Sequence, residues 1–466
     1  MASNPLDRYS SRSTFSIAVA FLFTFPVFAL MRPLLEGGGY GPRTIATGYS
    51  YTWFVLALFI PYAIAIRAVR CDDGSSLGRV LAAAALLSAP LVVAPLTQSQ
   101  DLFQYLLYAR MQVVHHANPY VVAPDMFSRD AWLPYVAWPT QVSVYGPLWS
   151  IAMAGIVSAS RGSILRAMLL AKSVTLGLEA VTVWGLVELG GGSHDRRAAV
   201  AACAFTLNPL VLSSIALSGH ADVAVAAAFV WAIVADRRKR PALALLLLTA
   251  AALVKAYAGL VLVVYLIWTW RRLGFRRALS KGVPATALTV LAFAPYWRGR
   301  STFEGLVSIA TRTSASLAGA AARVVSAMLV GLDVEHPGGS ALVLVRIIGI
   351  VMLLATFVRQ VRTSRDGTDP WPAAMALMAV YLLVTPWFLP WHAIGGLALV
   401  CAIPESSLAA PGRIFSASCL ASIGGPGLVR PVATSVARYG PPVISYLQRS
   451  TKRRSRHGRR HGIQWA

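Results

Sequence analysis

Apolar runs long enough to cross, or nearly cross, a lipid bilayer recur along the chain as far as position 403, and no other feature constrains its fold so tightly. They read as Thr14–Met31, Tyr51–Ile66, Val80–Thr97, Ala167–Leu189, Ala198–Leu217, Ala221–Ala235, Ala242–Val254, Ala256–Trp270, Val283–Trp297, Ala341–Val358, Ala373–Pro386 and Ala393–Ile403. Charge is too scarce to clothe a water-soluble protein: 13% of the 466 residues are charged, against about 25% in soluble domains. The expected fold is all-α and polytopic, with roughly 12–13 membrane helices. The N-terminal run lacks a small-residue cleavage site and is not expected to be a removable signal peptide.

Lys and Arg number 42 against 18 Asp and Glu, a net charge of +24. On so apolar a chain this excess fits basic cytoplasmic loops. A nucleic-acid binder would need a soluble basic face, and none is visible outside the C-terminal tail, so nucleic acid is not an expected partner. Placing Arg8 and Arg12, the Arg67–Arg79 loop, Arg196 and Arg197, Arg237–Arg240, Arg271–Lys281, Arg359–Arg365 and the tail Arg449–Arg460 inside leaves few cations outside. That topology predicts a multi-pass protein of the cell inner (plasma) membrane with a cytoplasmic N-terminus. The four cysteines (Cys71, Cys203, Cys401, Cys419) have no paired spacing and suggest neither a disulfide framework nor a zinc site.

Pro147–Ser160 is apolar but only 14 residues long, and if it spanned, every later basic loop would flip outward. It is therefore expected to be re-entrant or interfacial. The chain then divides into a transmembrane domain over 1–403, with an outer loop module at 98–166 and a second outer loop at 298–340. Residues 404–466 read as a weak last hydrophobic segment followed by a basic cytoplasmic tail near anionic lipid. Membrane lipids are expected partners.

This topology gathers the conspicuous polar residues at one face. Asp101 follows the third span, His220 and Asp222 open an outward-starting span, Lys255 interrupts two short apolar runs, and His392 closes Thr385-Pro386-Trp387-Phe388-Leu389-Pro390-Trp391-His392. Among the outward carboxylates only Asp101 and Asp222 sit at a span end beside apolar and aromatic neighbours, where desolvation or a cation tunes ionisation. Each has a plainer reading: Asp101 as an oriented helix-end residue, Asp222 as a match for the positive end of a helix dipole. Lys255 is the residue hardest to explain away, since a Lys at depth costs about 2.5–3.5 kcal/mol on insertion scales. A cation at a break between spans suits an anionic headgroup, phosphate above all, although its stem also allows snorkelling. His220 and His392 read equally as hydrogen-bonded interface histidines, His115 and His116 as a solvated loop pair, and Arg110, Arg161 and Arg166 as lipid-phosphate ligands or anchors. Glu179 lies inside a run with no assigned role. There is no P-loop, no Gly-x-Gly-x-x-Gly after a strand, no His-Glu-x-x-His and no Cys-x-x-Cys, which argues against a soluble nucleotide sugar as substrate.

The stretch Gln100-Asp101-Leu102-Phe103-Gln104-Tyr105-Leu106-Leu107-Tyr108-Ala109-Arg110 continues to Asn118-Pro119-Tyr120, Trp138 and Ser143-Val144-Tyr145-Gly146-Pro147-Leu148-Trp149. It resembles the first outer loop of bacterial GT-C glycosyltransferases, close to the polyprenol-phosphate-mannose-dependent α-mannosyltransferases. Leu207-Asn208-Pro209-Leu210, Gly219-His220-Ala221-Asp222, Leu253-Val254-Lys255 and Pro390-Trp391-His392 follow in the same order, so the resemblance covers roughly residues 80–403. It departs where the family often has Gly-His-Asn-Asp and Pro-Trp-Tyr, and where two further spans precede the one leading to Asp101. The resemblance implies a GT-C-like enzyme that uses a lipid-phosphate-linked sugar, with Asp101 as catalytic base and a polyprenyl-phosphate sugar donor, mannose above all. The acceptor would be a glycolipid or glycan of the cell envelope, and the site would face the extracytoplasmic side.

Elementary chemistry is compatible with that implication. Inverting sugar transfer needs one carboxylate to take the acceptor proton and donors or cations to stabilise the departing phosphate. Asp101 serves as the base, with Lys255, His220 and Arg110 as candidate phosphate ligands. Asp222, His392, Tyr105 and Trp391 are candidate substrate contacts, while Tyr108, Trp149 and Trp387 fit an interfacial aromatic belt as well as a sugar platform. Neither a metal nor a cofactor is required. The rival class is a transporter or flippase of a lipid-linked saccharide, which would more often show internal repeats and intramembrane charge facing both sides; neither is visible.

Overall fold

The computed structural model describes residues 5–35, 54–72, 76–96, 99–314, 316–363 and 369–404. Among the described residues the regular structure is all helical, with no strand beyond one isolated bridge between Arg298 and Arg300. Runs rich in Ala, Leu and Val permit little else in lipid, where each backbone N–H and C=O must be satisfied within its own helix. This is an all-α polytopic membrane protein.

Among the described residues four helices are long and apolar enough for a full crossing: Ser11–Met31, Phe54–Cys71, Phe275–Tyr296 and Pro337–Thr363. A fifth joins them if the pair Arg196–Thr206 and Pro209–Leu217, bent by 45°, counts as one. The other apolar helices are shorter pieces such as Leu77–Val93 and Pro241–Ala252, so the twelve or thirteen expected crossings are not all individually of spanning length. Several runs end early for visible reasons. Val80–Thr97 stops being helical at Val93, after Pro90, and Thr97 lies outside the described residues. Ala198–Leu217 breaks at Asn208, whose side chain accepts the Leu210 N–H and so caps the next segment, with Pro209 in its first turn. Leu317–Val330 forms a helix inside the 298–340 loop that the run boundaries did not anticipate. Pro147–Ala159 is the short helix expected there. The last segment and basic tail lie outside the described residues from 405 onward.

The core lies around Asp222–Arg237, which packs against Ile164–Leu189, Pro241–Ala252 and Ala393–Ala402. Helices at the rim behave differently: the spanning windows of Phe275–Tyr296 and Pro337–Thr363 are only 11% and 17% buried. Their Leu291, Ile347 and Val351 stand outward, as a lipid-facing surface demands.

Two buried ionisable residues hold this interior together. Lys172, fully buried in Ile164–Leu189, donates to Leu91 O and Ala94 O, both at 2.7 Å, and so satisfies the orphan carbonyls that end Leu77–Val93. Glu179, two turns further on, accepts the Thr206 hydroxyl at 2.5 Å. This is a structural place for the carboxylate to which the sequence assigned no role.

Candidate functional site

The site is assembled from four breaks in helical structure. The first is the start of Asp101–Val113, where the Asp101 N–H donates to Ser99 Oγ at 3.1 Å. The second follows a π-helical turn, Leu212–Leu217, a geometry common at functional sites. There Gly219 takes φ +66° and turns the chain into buried His220, and a Cβ at Gly219 would press against Leu102 at 3.1 Å. The third is the gap between Pro241–Ala252 and Gly259–Leu273, where Lys255 is extended. The fourth is the turn Pro390–His392.

Backbone pairing locks the start of the helix Pro147–Ala159 onto the third break. The Gly146 N–H donates to Val254 O at 3.0 Å and the Leu148 N–H to Leu253 O at 3.1 Å. A Cβ on Gly146 would lie 1.9 Å from Leu253 O, so only glycine allows this approach. Sequence separation of more than a hundred residues thus becomes direct contact beside Lys255.

The side chains converge there. Asp101 Oδ2 lies 3.7 Å from His220 Nδ1, and the Tyr105 hydroxyl lies 3.5 Å from the same nitrogen. The His220 ring stacks on Trp391, centroids 3.9 Å apart and planes within 15°. Its Nε2 is buried without a hydrogen-bond partner. Burial, with the Lys255 and His392 charges adding to it, pushes the His220 pKa well below its ordinary range, so the imidazole is neutral. Lys255 Nζ pairs with Asp222 Oδ2 at 3.3 Å and lies 5.0 Å from the Tyr145 ring centroid. The Tyr257 hydroxyl donates to Asp222 Oδ1 at 2.8 Å, and the Tyr257 ring lies 6.0 Å from that of His392. Tyr105 packs edge-on against Tyr145 and Trp149.

The two carboxylates differ in availability. Asp222 is fully buried and spent on Lys255 and Tyr257. Asp101 keeps 13% of its side chain exposed. Burial raises the Asp101 pKa to about 6; Lys255 opposes the rise, Asp222 adds to it and Ser99 opposes it. A carboxylate poised near neutrality in a desolvated pocket is suited to proton transfer. Among the described residues no group of three His, Cys, Asp or Glu side chains gathers as a metal-ion set.

The structure therefore brings together Asp101, Tyr105, His220, Asp222, Lys255, Trp391 and His392. It does not bring Arg110 among them. Arg110 lies nine residues along its helix from Asp101, about 13 Å by helical rise. Its Nε donates to both oxygens of Asp130, at 3.0 and 2.8 Å, while its guanidinium covers Trp132. His115, expected to be solvated, also meets Asp130, at 2.6 Å, and stacks on Phe127. Sequence reading passed over Tyr257 and Lys172. The insertion cost that singled out Lys255 applies equally to Lys172, which interrupts the run Ala167–Leu189, and that signal was there to use.

A buried, pre-shaped cluster of ionisable and aromatic side chains at helix breaks is the mark of a polytopic membrane protein with a substrate site rather than of a lipid-packed bundle. A family model described as "Alpha-(1->6)-mannopyranosyltransferase, N-terminal domain" matches residues 37–272, just over half of the chain, and the chain belongs to that family. The match spans Asp101, Tyr105, Arg110, His220, Asp222 and Lys255, but not Trp391 or His392. The chain is similar to alpha-(1->6)-mannopyranosyltransferase A of Mycobacterium tuberculosis (strain ATCC 25618 / H37Rv), 27% identical over 341 residues. The aligned part covers 68% of this chain and 64% of that relative, less than two thirds of its length.

Proposed function

We propose that this chain is an inverting mannosyltransferase that takes its sugar from a polyprenyl-phosphate donor and delivers it to a glycolipid or glycan of the cell envelope. In this reading it lies in the inner membrane with its N-terminus cytoplasmic and the Asp101 cluster facing the extracytoplasmic side. The observation that carries the proposal is the division of labour between the two carboxylates: Asp222 is neutralised, whereas Asp101 stays accessible beside neutral His220. Membership of the family and the likeness to the mycobacterial mannopyranosyltransferase support mannose as the sugar.

Asp101 takes the proton of the acceptor hydroxyl as its oxygen bonds to the anomeric carbon. The bond from that carbon to the phosphate oxygen breaks, and its electron pair leaves with the polyprenyl phosphate. A single displacement needs one base, unlike retaining hydrolysis with its two carboxyl groups about 5 Å apart. Lys255, shared with Asp222, and His220, in the tautomer that carries its proton on the unpartnered Nε2, supply donors for the departing charge. Arg110 is read instead as a clamp within the 98–166 module, and Tyr105, Trp391 and His392 as pocket walls.

The test is reconstitution of the purified protein with polyprenyl-phosphate-linked mannose and envelope acceptors. A new mannosidic product supports the reading. Movement of the lipid-linked sugar across the bilayer without a new glycosidic bond would replace it with the transporter class. Labelling of single cysteines at positions 101 and 255 from opposite sides of the membrane would refute the shared face.

A further inference from the structure

The cations placed nearest Asp101 by the sequence are both matched to carboxylates: Lys255 to Asp222 and Arg110 to Asp130. Arg312, which follows the helix Glu304–Ala310, is held differently. Its guanidinium carbon lies 4.8 Å from the Trp138 ring centroid and 5.8 Å from that of Trp387, and the two indoles meet edge to face at 6.2 Å. Among the described residues no carboxylate pairs with it. It is partly exposed.

Both indoles are tied to the site. The backbone N–H of Trp138 donates to Gln104 Oε1 at 3.1 Å and Gln104 Nε2 donates to the Trp138 backbone O at 3.2 Å, and Gln104 is one turn beyond Asp101. Trp387 precedes Trp391, the residue stacked on His220, by four positions. The Arg312 segment is pinned to the same loop: Ser314 Oγ donates to Phe388 O at 2.7 Å, the Phe388 N–H donates to Ser314 Oγ at 2.7 Å, and Ser316 Oγ donates to Pro386 O at 2.7 Å. The Tyr108 hydroxyl stands within electrostatic reach of both Asp101 and Arg312. A guanidinium fixed by two aromatic faces keeps its planar N–H edge for a phosphate, a geometry an ammonium does not offer.

We propose that Arg312 grips the phosphate of the lipid-linked donor, as the unneutralised cation that Lys255 and Arg110 are not. This deepens the transferase reading and rests on it. The test measures binding of polyprenyl phosphate, of the uncharged polyprenol and of phosphatidylglycerol to the full-length protein in nanodiscs. Arg312→Gln is expected to weaken polyprenyl phosphate binding about tenfold to a hundredfold, as loss of a charged hydrogen bond predicts, and to leave polyprenol binding unchanged. Arg312→Lys should recover part of the loss. The ratio of phosphate to alcohol binding within one preparation removes any effect of partial misfolding. Equal ratios in parent and Arg312→Gln overturn the proposal, and so does an equal loss for phosphatidylglycerol, which would make Arg312 a contact for bulk lipid. A parent protein that binds no polyprenyl phosphate at all refutes the donor reading itself, a result distinct from parity between parent and variant.

Discussion

Two buried ion pairs, one within the cluster and one around Asp130, each set an aspartate against a cation and serve different ends. Asp222 and Asp130 both have fully buried side chains, and each meets a cation. Asp130 is saturated: Arg110, His115 and the Trp132 N–H all donate to it. Asp222 has one ammonium and one phenol, and around it the His220 Nε2 has no partner while Asp101 keeps an open edge. Saturation marks a clamp, and unmet polar capacity marks a place prepared for a ligand.

The sharpest way to break this contrast is to neutralise Asp101 and Asp130 in turn. Asp101→Asn should lower kcat/KM for the proposed mannosyl transfer by about a hundredfold to ten-thousandfold, the range of a lost general base, without lowering the thermal midpoint. Asp130→Asn should leave the transfer rate within a few-fold and lower the midpoint instead. Reversal of the two results would exchange the roles assigned to Asp101 and Asp130.

The next largest effect separates the Lys255–Asp222 pair from its surroundings. Lys255→Met strands a buried carboxylate and should cost about 3–5 kcal/mol in denaturation of the detergent-solubilised protein. Adding Asp222→Leu should restore most of that stability, because an apolar pair of similar volume replaces a desolvated ion pair. Transfer activity should stay low in both variants. Recovery of activity by the double variant would show that the pair only props the site open.

Much of this arrangement was legible in the residues themselves. Scarcity of charge gave the all-helical membrane fold, and the cost of burying Lys255 and the span-end positions of Asp101 and Asp222 pointed to one locus. Arg110 was expected at the phosphate because sequence shows that a cation exists and not which carboxylate lies beside it; Asp130, twenty residues away, is brought to it by the 124–135 turns. Lys172 carried the same burial cost as Lys255, but its partners, the Leu91 and Ala94 carbonyls, have no side-chain signature, so its role was not legible. Arg312 lay hidden because its neighbours Trp138 and Trp387 come from two distant loops, and each indole alone reads as interfacial.

Weakening the clamp is a milder perturbation. Arg110→Gln removes a charged donor that is 18% exposed, while His115 and the Trp132 N–H still serve Asp130, so the loss should be about 1–3 kcal/mol. Denaturation curves check this, and KM for donor should not move. A rise in KM for polyprenyl-phosphate sugar with unchanged stability would return Arg110 to the phosphate-binding role the sequence gave it.

The smallest effect is a separation of two pH limbs. The Asp101 pKa is raised to about 6, burial being the main cause, and a base works only when deprotonated. Transfer should therefore level off above about pH 7 and fall roughly tenfold for each unit below 6. Asp130 is shifted the other way: burial pulls it up, but donation from His115, the Trp132 N–H and Arg110 outweighs burial and holds it below the ordinary carboxylate value. A depressed folded pKa contributes stability above the unfolded value, near pH 4, and that contribution disappears as pH falls through the folded value. Activity should thus decline between pH 6 and 5 without a fall in the thermal midpoint, because protonating Asp101, whose folded pKa lies above its unfolded one, adds stability there, and the Asp130 contribution is lost only at lower pH. Measuring both quantities on one preparation decides the matter, since a midpoint that dropped together with the rate near pH 6 would make the activity limb a symptom of unfolding and leave Asp101 without its assigned proton.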